Sequence, residues 1–308
     1  IAIELGLVVP PIRIRDNMQL GPNAYVIKIK GIEVGRGDLL PGHYLAMESG
    51  AVSKRVAGIE TREPAFGLPA LWITEEKRDE AELAGYTVVD SPSIIATHLT
   101  EIIRGNAAEL LGRQDVKRLL DELKEEHAAL VEEVVPELLT VGEVQRVLQN
   151  LLREGVPIRD LVTILETLGD YARATKDQVF LTEKVREALA RQISKQYTGD
   201  DGYIPVVTMD PALEQEIADA LQETERGLAI ALPPERVEAF YDGLSRTLER
   251  AAAAGHQAVL LCSPMIRPAV RRLVARVLPR LSVISYNEVA PNAQVQSVGM
   301  VRLDGHAG

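Results

Sequence analysis

Few residues in this sequence have the type and spacing to do chemistry. Cys262 is the single cysteine; it follows the apolar run Val259-Leu260-Leu261 and precedes Ser263-Pro264. A thiol at a strand-to-helix junction can be acidified by the helix N-terminus and act as a nucleophile, or it can be a buried, inert cysteine. His98 and Glu101 lie one helical turn apart and could share a ligand face, but a metal centre needs a third partner that the sequence does not identify. The other histidines, His43, His127, His256 and His306, are scattered. Glu166 and Asp170, at i and i+4, read either as a carboxylate pair for acid–base work or as a solvated helix face. Arg267, Arg271, Arg272, Arg276 and Arg280 form a basic stripe that suits a phosphate or acidic partner, or an ion-paired face. The run Gly31-Ile32-Glu33-Val34-Gly35-Arg36-Gly37-Asp38 has neither nucleotide-loop spacing and opens no helix, so it reads as a hairpin turn. GxSxG and HExxH are both absent. Chemistry alone therefore leaves an enzyme using Cys262 or His98/Glu101, or an anion-binding adaptor using the arginine stripe 267–280, with no cofactor and no metal implied.

Composition narrows the field. The 308 residues carry 34 Lys and Arg against 45 Asp and Glu, a net charge of −11, with 46% apolar and 4% aromatic residues. Such a chain folds around aliphatic cores, and its length suggests roughly two units of about 150 residues. A lone cysteine excludes an internal disulfide, a multi-cysteine zinc site and a CxxC motif, and it suits a reducing compartment. The acidic balance argues against nucleic acid, whose phosphates call for clustered Lys and Arg. The longest uncharged stretch, Ala251 to Ile266, contains His256, Gln257, Ser263 and Pro264 and falls short of the roughly 20 apolar residues of a bilayer span. The N-terminus lacks a signal-peptide pattern and an initiating methionine, as expected of a fragment.

The elements that would position these residues follow from periodicity. Ile12 and Ile14 alternate with Arg13 and Arg15, and Tyr25, Ile27 and Ile29 with Lys28 and Lys30, which predicts two strands separated by turn residues. From Pro41 to Asp90 small residues dominate; Thr74 heads a short helix ended by Gly85, and Tyr86 to Val89 returns as a strand, a small α/β unit inserted into the first. Ser91-Pro92 opens a helix with Ile94, Ile95, Leu99, Ile102 and Ile103 on one stripe. From Leu111 to about Ala190 a 3.6-residue period predicts a helical bundle: a stripe at Leu119, Leu120 and Leu123, a helix begun by the capping box Thr140/Glu143, a third begun at Pro157 and a fourth capped by Thr182. After the polar break at Tyr197 to Gly202, strands 204–209, 258–262, 282–286 and 295–301 alternate with helices beginning at Asp210-Pro211, Pro234 and Pro264. That alternation predicts a second α/β domain.

One segment matches none of these uses. Glu63-Pro64-Ala65-Phe66-Gly67-Leu68-Pro69-Ala70-Leu71-Trp72-Ile73 holds the only Trp and one of three Phe in the chain, with two prolines. Prolines pre-order an extended segment, and a large apolar side chain displayed on it can anchor a partner. Equally, Phe66 could fill the core of the small inserted unit.

At this point the motifs become familiar. LGLVVPPIRIRDN (5–17), EPAFGLPALWI (63–73), GYTVVDSPSIIATHLTE (85–101), ELLGRQDVKRLLD (109–121), VLQNLLREGVPIRDLVTILETL (147–168), VLLCSPMIRP (259–268) and VISYNEV (283–289) closely resemble, in order, the cytoplasmic region of the flagellar type III export gate (FHIPEP) family. The resemblance runs from Leu5 to Val301, without the family's N-terminal membrane domain.

The resemblance implies a mixed α/β and α multidomain fold. A split first α/β domain (1–41 and 91–110) would surround a small α/β insert (42–90), followed by a helical domain (111–190) and a C-terminal α/β domain (191–308). It implies a docking platform without chemistry of its own, on the cytoplasmic face of the bacterial inner membrane. That platform assembles as a nonameric ring and receives export chaperones with bound substrates, export ATPase components and other gate proteins. The family's chaperone groove, between the first domain and the insert, carries Asp-Pro-Ala-Phe and Ala-Thr-His-Leu motifs that map onto Glu63-Pro64-Ala65-Phe66 and Ala96-Thr97-His98-Leu99. Phe66 is thereby expected as the apolar anchor, Glu63 as a polar rim contact one methylene longer than the family's aspartate, and Thr97 as a hydroxyl partner. Leu68, Val89 and Ile94 are expected to complete the apolar wall.

Overall fold

Two consecutive left-handed residues, Lys30 (φ 50°) and Gly31 (φ 86°), make the two-residue turn whose twist suits a hairpin. They join β1 (Ala24–Ile29) to β2 (Ile32–Asp38), antiparallel, with Tyr25 opposite Gly37. The glycine-rich run is therefore mostly strand, and only its first residue belongs to the turn. The computed structural model describes residues 2–303 except 10, 49, 51, 225 and 226; His306 lies outside the described residues. The described chain falls into two compact units, Ile1–Leu111 and Gly112–Gly308.

The first unit opens with a short helix, α1 (Ala2–Leu5), before the β1–β2 hairpin. Beyond the hairpin it holds β3 (His43–Met47), β4 (Ile59–Arg62), β5 (Pro69–Thr74), a 3-10 turn (Glu75–Lys77), α2 (Arg78–Leu83), β6 (Thr87–Val89), α3 (Ser91–Gly105) and α4 (Ala107–Leu110). Strands β4-β5-β3-β6 form one antiparallel sheet. Period-two alternation sends Ala46, Leu71 and Ile73 to one face, packed with Ala81, Ala84 and Tyr86, and Leu45, Ala70 and Trp72 to the other, packed with Ile94 of α3. Trp72, not Phe66, fills this core. Asp90 caps α3 by accepting from the Ser93 N–H at 3.0 Å. The strand expected at Ile12 and Ile14 does not form: both side chains are exposed, Ile14 by 93%, and alternation without a partner strand buries neither face.

The second unit begins with α5 (Arg113–Val134, kinked at His127), α6 (Val141–Arg153), α7 (Leu161–Ala172), α8 (Gln178–Ala188) and α9 (Ala190–Tyr197). The Thr140/Glu143 capping box forms as expected. Two helix starts differ. Asp160, rather than Pro157, caps α7 and Asp177 caps α8, while Thr182 lies inside α8 with its hydroxyl donating to the Gln178 carbonyl. There follow β7 (Tyr203–Met209), α10 (Pro211–Asp219), the hairpin β8 (Leu221–Thr224) and β9 (Gly227–Ile230), α11 (Pro234–Ala253), β10 (Val259–Cys262), α12 (Arg267–Val274), β11 (Val283–Ser285) and β12 (Gln294–Val301). Strands β11-β10-β7-β12 make a parallel sheet. Helix α12 supplies Val270 and Val274, and α11 supplies Phe240 and Leu244, to its core.

A buried ionic network fastens the helical run to this sheet. Arg267 donates to Glu183 at 2.5 Å, to Glu154 at 2.7 Å and to the Val283 carbonyl at 3.1 Å. Arg186 donates to Glu288 at 2.5 Å and pairs with Glu154 at 3.2 Å. Burial pushes the Glu154 carboxyl up, but Arg186 and Arg267 outweigh it and hold the group at about 2. Burial lifts Glu183 above the usual range, with Arg267 only partly pulling it back.

Candidate functional site

The loop between β4 and β5 is closed by its own backbone: Glu63 N–H donates to the Leu68 carbonyl and Gly67 N–H to the Glu63 carbonyl, both at 2.9 Å. Gly67 sits at φ 71°, where a side chain would be strained, and Arg62 donates to its carbonyl at 2.9 Å. Inside the loop the Glu63 carboxylate accepts from the Ala65 and Phe66 N–H groups at 2.7 and 2.6 Å. Glu63 is 2% exposed and Phe66 is 46% exposed. The loop therefore points its acid inward and its phenyl ring outward. Glu63, expected at the polar rim, is a brace that fixes the backbone of Phe66.

Behind the brace lies a pair that the sequence reading missed. Tyr25 Oη and His98 Nδ1 are 2.7 Å apart, with the rings edge to face at a centroid distance of 5.7 Å. Burial, then the charges of Glu63 and Asp38, push the Tyr25 hydroxyl up to about 12, and burial lowers His98 against the opposing pull of Glu63. The tyrosine hydroxyl and the imidazole nitrogen thus share one hydrogen bond. The glycines of β2 permit this arrangement. A Cβ at Gly35 would stand 2.9 Å from Ile102 and 3.0 Å from His98; one at Gly37 would stand 2.7 Å from Tyr25 Oη. Glycines at alternate positions of a strand signal such close approach, and that was the available clue. Gly37→Ala is expected to displace the Tyr25 ring and cost about 1–3 kcal/mol, read as a lower urea midpoint; an unchanged midpoint would show the ring free to move aside.

The remaining expected residues are placed unequally. Leu68 is exposed beside Phe66, and Thr97 is exposed on α3 one residue before His98. Ile94 is buried against Leu45, Ala70 and Trp72, with Val89 half-buried at the same cluster. Ile94 therefore supports the sheet from within rather than forming an open wall, while Val89 keeps part of its surface free.

The alternatives drawn from chemistry lose their geometry. Cys262 is fully buried, and burial pushes its thiol well above the usual range, the opposite of an activated nucleophile. His98 is engaged by Tyr25, Glu101 pairs with Arg104 at 2.6 Å, and among the described residues no cluster of three potential ligands could hold a metal. Glu166 and Asp170 are exposed on α7. The arginine stripe divides: Arg267 is buried in the ionic network, Arg271 faces Glu154 at 3.8 Å and Arg272 donates to the Leu228 carbonyl, which leaves only Arg276 and Arg280 of the five exposed.

An α/β unit followed by a helical and parallel-sheet unit has counterparts among solved structures, one of them the EscV cytosolic domain from the type III secretion system. The Chlamydia pneumoniae CdsV structure covers 98% of this chain at a TM-score of 0.88 and 28% identity, spanning 87% of that chain; CdsV has also been solved with CdsO. The nonameric SctV-C structure from EPEC covers 97% at 0.81 and 25% identity, spanning 90% of that chain. The flagellar biosynthesis protein FlhA of Bacillus subtilis is 49% identical over 301 residues, 98% of this chain. The FHIPEP family pattern matches residues 1–294, and the chain belongs to the FHIPEP family. It spans 44% of the length of the Bacillus relative. Among the described residues no helix is long and apolar enough to cross a membrane.

Proposed function

We propose that this chain is the docking region of a flagellar type III export gate, which receives export chaperones with their bound substrates and passes them to a membrane channel. The observation that carries the reading is Phe66: a scarce aromatic, held half-exposed by a buried carboxylate on a closed loop. A residue meant for the core would not be presented this way. An exposed aromatic on a rigid backbone is the form of a binding hot spot, since little conformational freedom is lost when a partner covers it. Leu68 extends the apolar contact and Thr97 offers a hydroxyl at its edge. Glu63 acts through the loop, as a positioning residue.

The four-part division set out from the sequence belongs to the same proposal, with the chaperone seated between the first domain and the insert. So do assembly as a ring, for which the nonameric relative is the precedent, and contact with export ATPase components. The test is a calorimetric titration of a cognate flagellar chaperone–substrate complex into the chain and into Phe66→Ala. Unchanged affinity in a folded variant would remove Phe66 as the anchor.

A further inference from the structure

A groove of about 430 Å³ between α11 and β12 is lined by Gly243, Arg246, Thr247, Arg250, Met300 and Arg302. Helix and strand meet there through glycines: a Cβ on Gly299 would stand 2.5 Å from Thr247 Cγ2, and one on Gly243 3.4 Å from the Arg302 carbonyl oxygen. In a chain of net charge −11 this lining holds three arginines and no acidic residue. Arg246 and Arg250 use Nε to donate to the carbonyls of Asp242 and Arg246, at 3.3 and 3.2 Å; among the described residues neither is ion-paired. Arg302 leans on Asp210 at 3.5 Å while remaining largely exposed. The Thr247 hydroxyl is engaged by the Gly243 carbonyl at 2.7 Å, so the arginines are what the groove offers a ligand.

We propose that this groove docks an acidic segment of a partner protein, bound extended alongside β12. Charge complementarity selects an anion, and guanidinium forks pair best with carboxylates in bidentate geometry. Spacing selects an extended chain. Arg246 and Arg250 are separated by one helical turn, about 6 Å along the axis, and carboxylates at alternate residues of a strand are separated by about 6.6 Å. Strand β12 stands at the end of its sheet, paired only with β7 among the described residues, and an open strand edge accepts an added strand. A nucleic acid would meet the repulsion of the acidic chain beyond the groove. This site does not rest on the Phe66 reading.

The probe is a fluorescein-labelled peptide of alternating Thr and Glu, titrated by anisotropy at low salt against the chain, the Arg246→Glu/Arg250→Glu variant and Phe66→Ala. The wild type and Phe66→Ala are expected to bind alike, and the double variant at least about tenfold more weakly, the equivalent of one charge-assisted contact. Binding should weaken with salt, and the bound peptide should slow amide exchange along β12. Equal binding by the double variant, no binding to wild type, or no protection of β12 would overturn the proposal. Equal affinity for inorganic phosphate or an oligonucleotide would also overturn it, as would self-association of the wild type that the double variant abolishes. Should that variant melt early, Arg246→Gln/Arg250→Gln carries the same comparison.

Discussion

Arg267→Met is expected to lower the unfolding free energy by about 3–5 kcal/mol, because removing one partner of a buried ion pair leaves its counter-charges uncompensated. Glu183 takes hydrogen bonds from Arg267, as does Glu154, and both carboxylates sit near the junction of α6, α8 and the β11 edge of the sheet. Methionine fills much of the volume but returns none of those bonds. Arg280→Ala, at an exposed position of the same stripe, should change stability by no more than about 0.5 kcal/mol. Urea unfolding of the two variants beside wild type makes the comparison; equal midpoints would mean that the network contributes nothing to fastening the helices to the sheet.

Phe66→Ala is expected to leave the fold intact and to weaken chaperone docking by about 2 kcal/mol, roughly thirtyfold, as for a central aromatic anchor. Stability should barely move. The phenyl ring is half-exposed and is not among the residues packed in or against the core of Trp72, Leu45, Ala70 and Ile94. The contrast between a binding loss and an unchanged melt separates this position from a packing residue such as Ile94, where truncation should cost about 2–5 kcal/mol of stability.

Much of the scaffold was legible in the sequence because it is local. The Thr140/Glu143 capping box, the Asp210-Pro211 helix start and the apolar stripes of α3 and α6 are written within a few residues of where they act. The loop that exposes Phe66 stood out for a different reason: a chain with three Phe and one Trp placed two of those four within one proline-flanked segment. What escaped was tertiary. A glutamate beside a proline reads as surface, and nothing nearby indicates that Glu63 turns inward onto two N–H groups. Tyr25 and His98 are 73 residues apart, linked only by the glycines that let α3 approach β2. The arginines of α12 have the spacing of a solvated stripe, and only the arrival of Glu154 and Glu183 from other helices turns Arg267 into an interior residue. The β8–β9 hairpin was missed because its strands are four residues each and half-exposed, too short to show a period.

Glu63 and Phe66 are expected to act as one device, the acid setting the loop and the ring making the contact. A double-mutant cycle tests it most directly: affinity of one chaperone–substrate complex for wild type, Glu63→Gln, Phe66→Ala and the double variant, with folding checked by melting. Glu63→Gln alone should weaken docking, since an amide offers one acceptor oxygen where the carboxylate serves two N–H groups. In the Phe66→Ala background it should add almost nothing. Fully additive losses would contradict the account, because they would mean that Glu63 meets the partner itself rather than acting through the ring it positions.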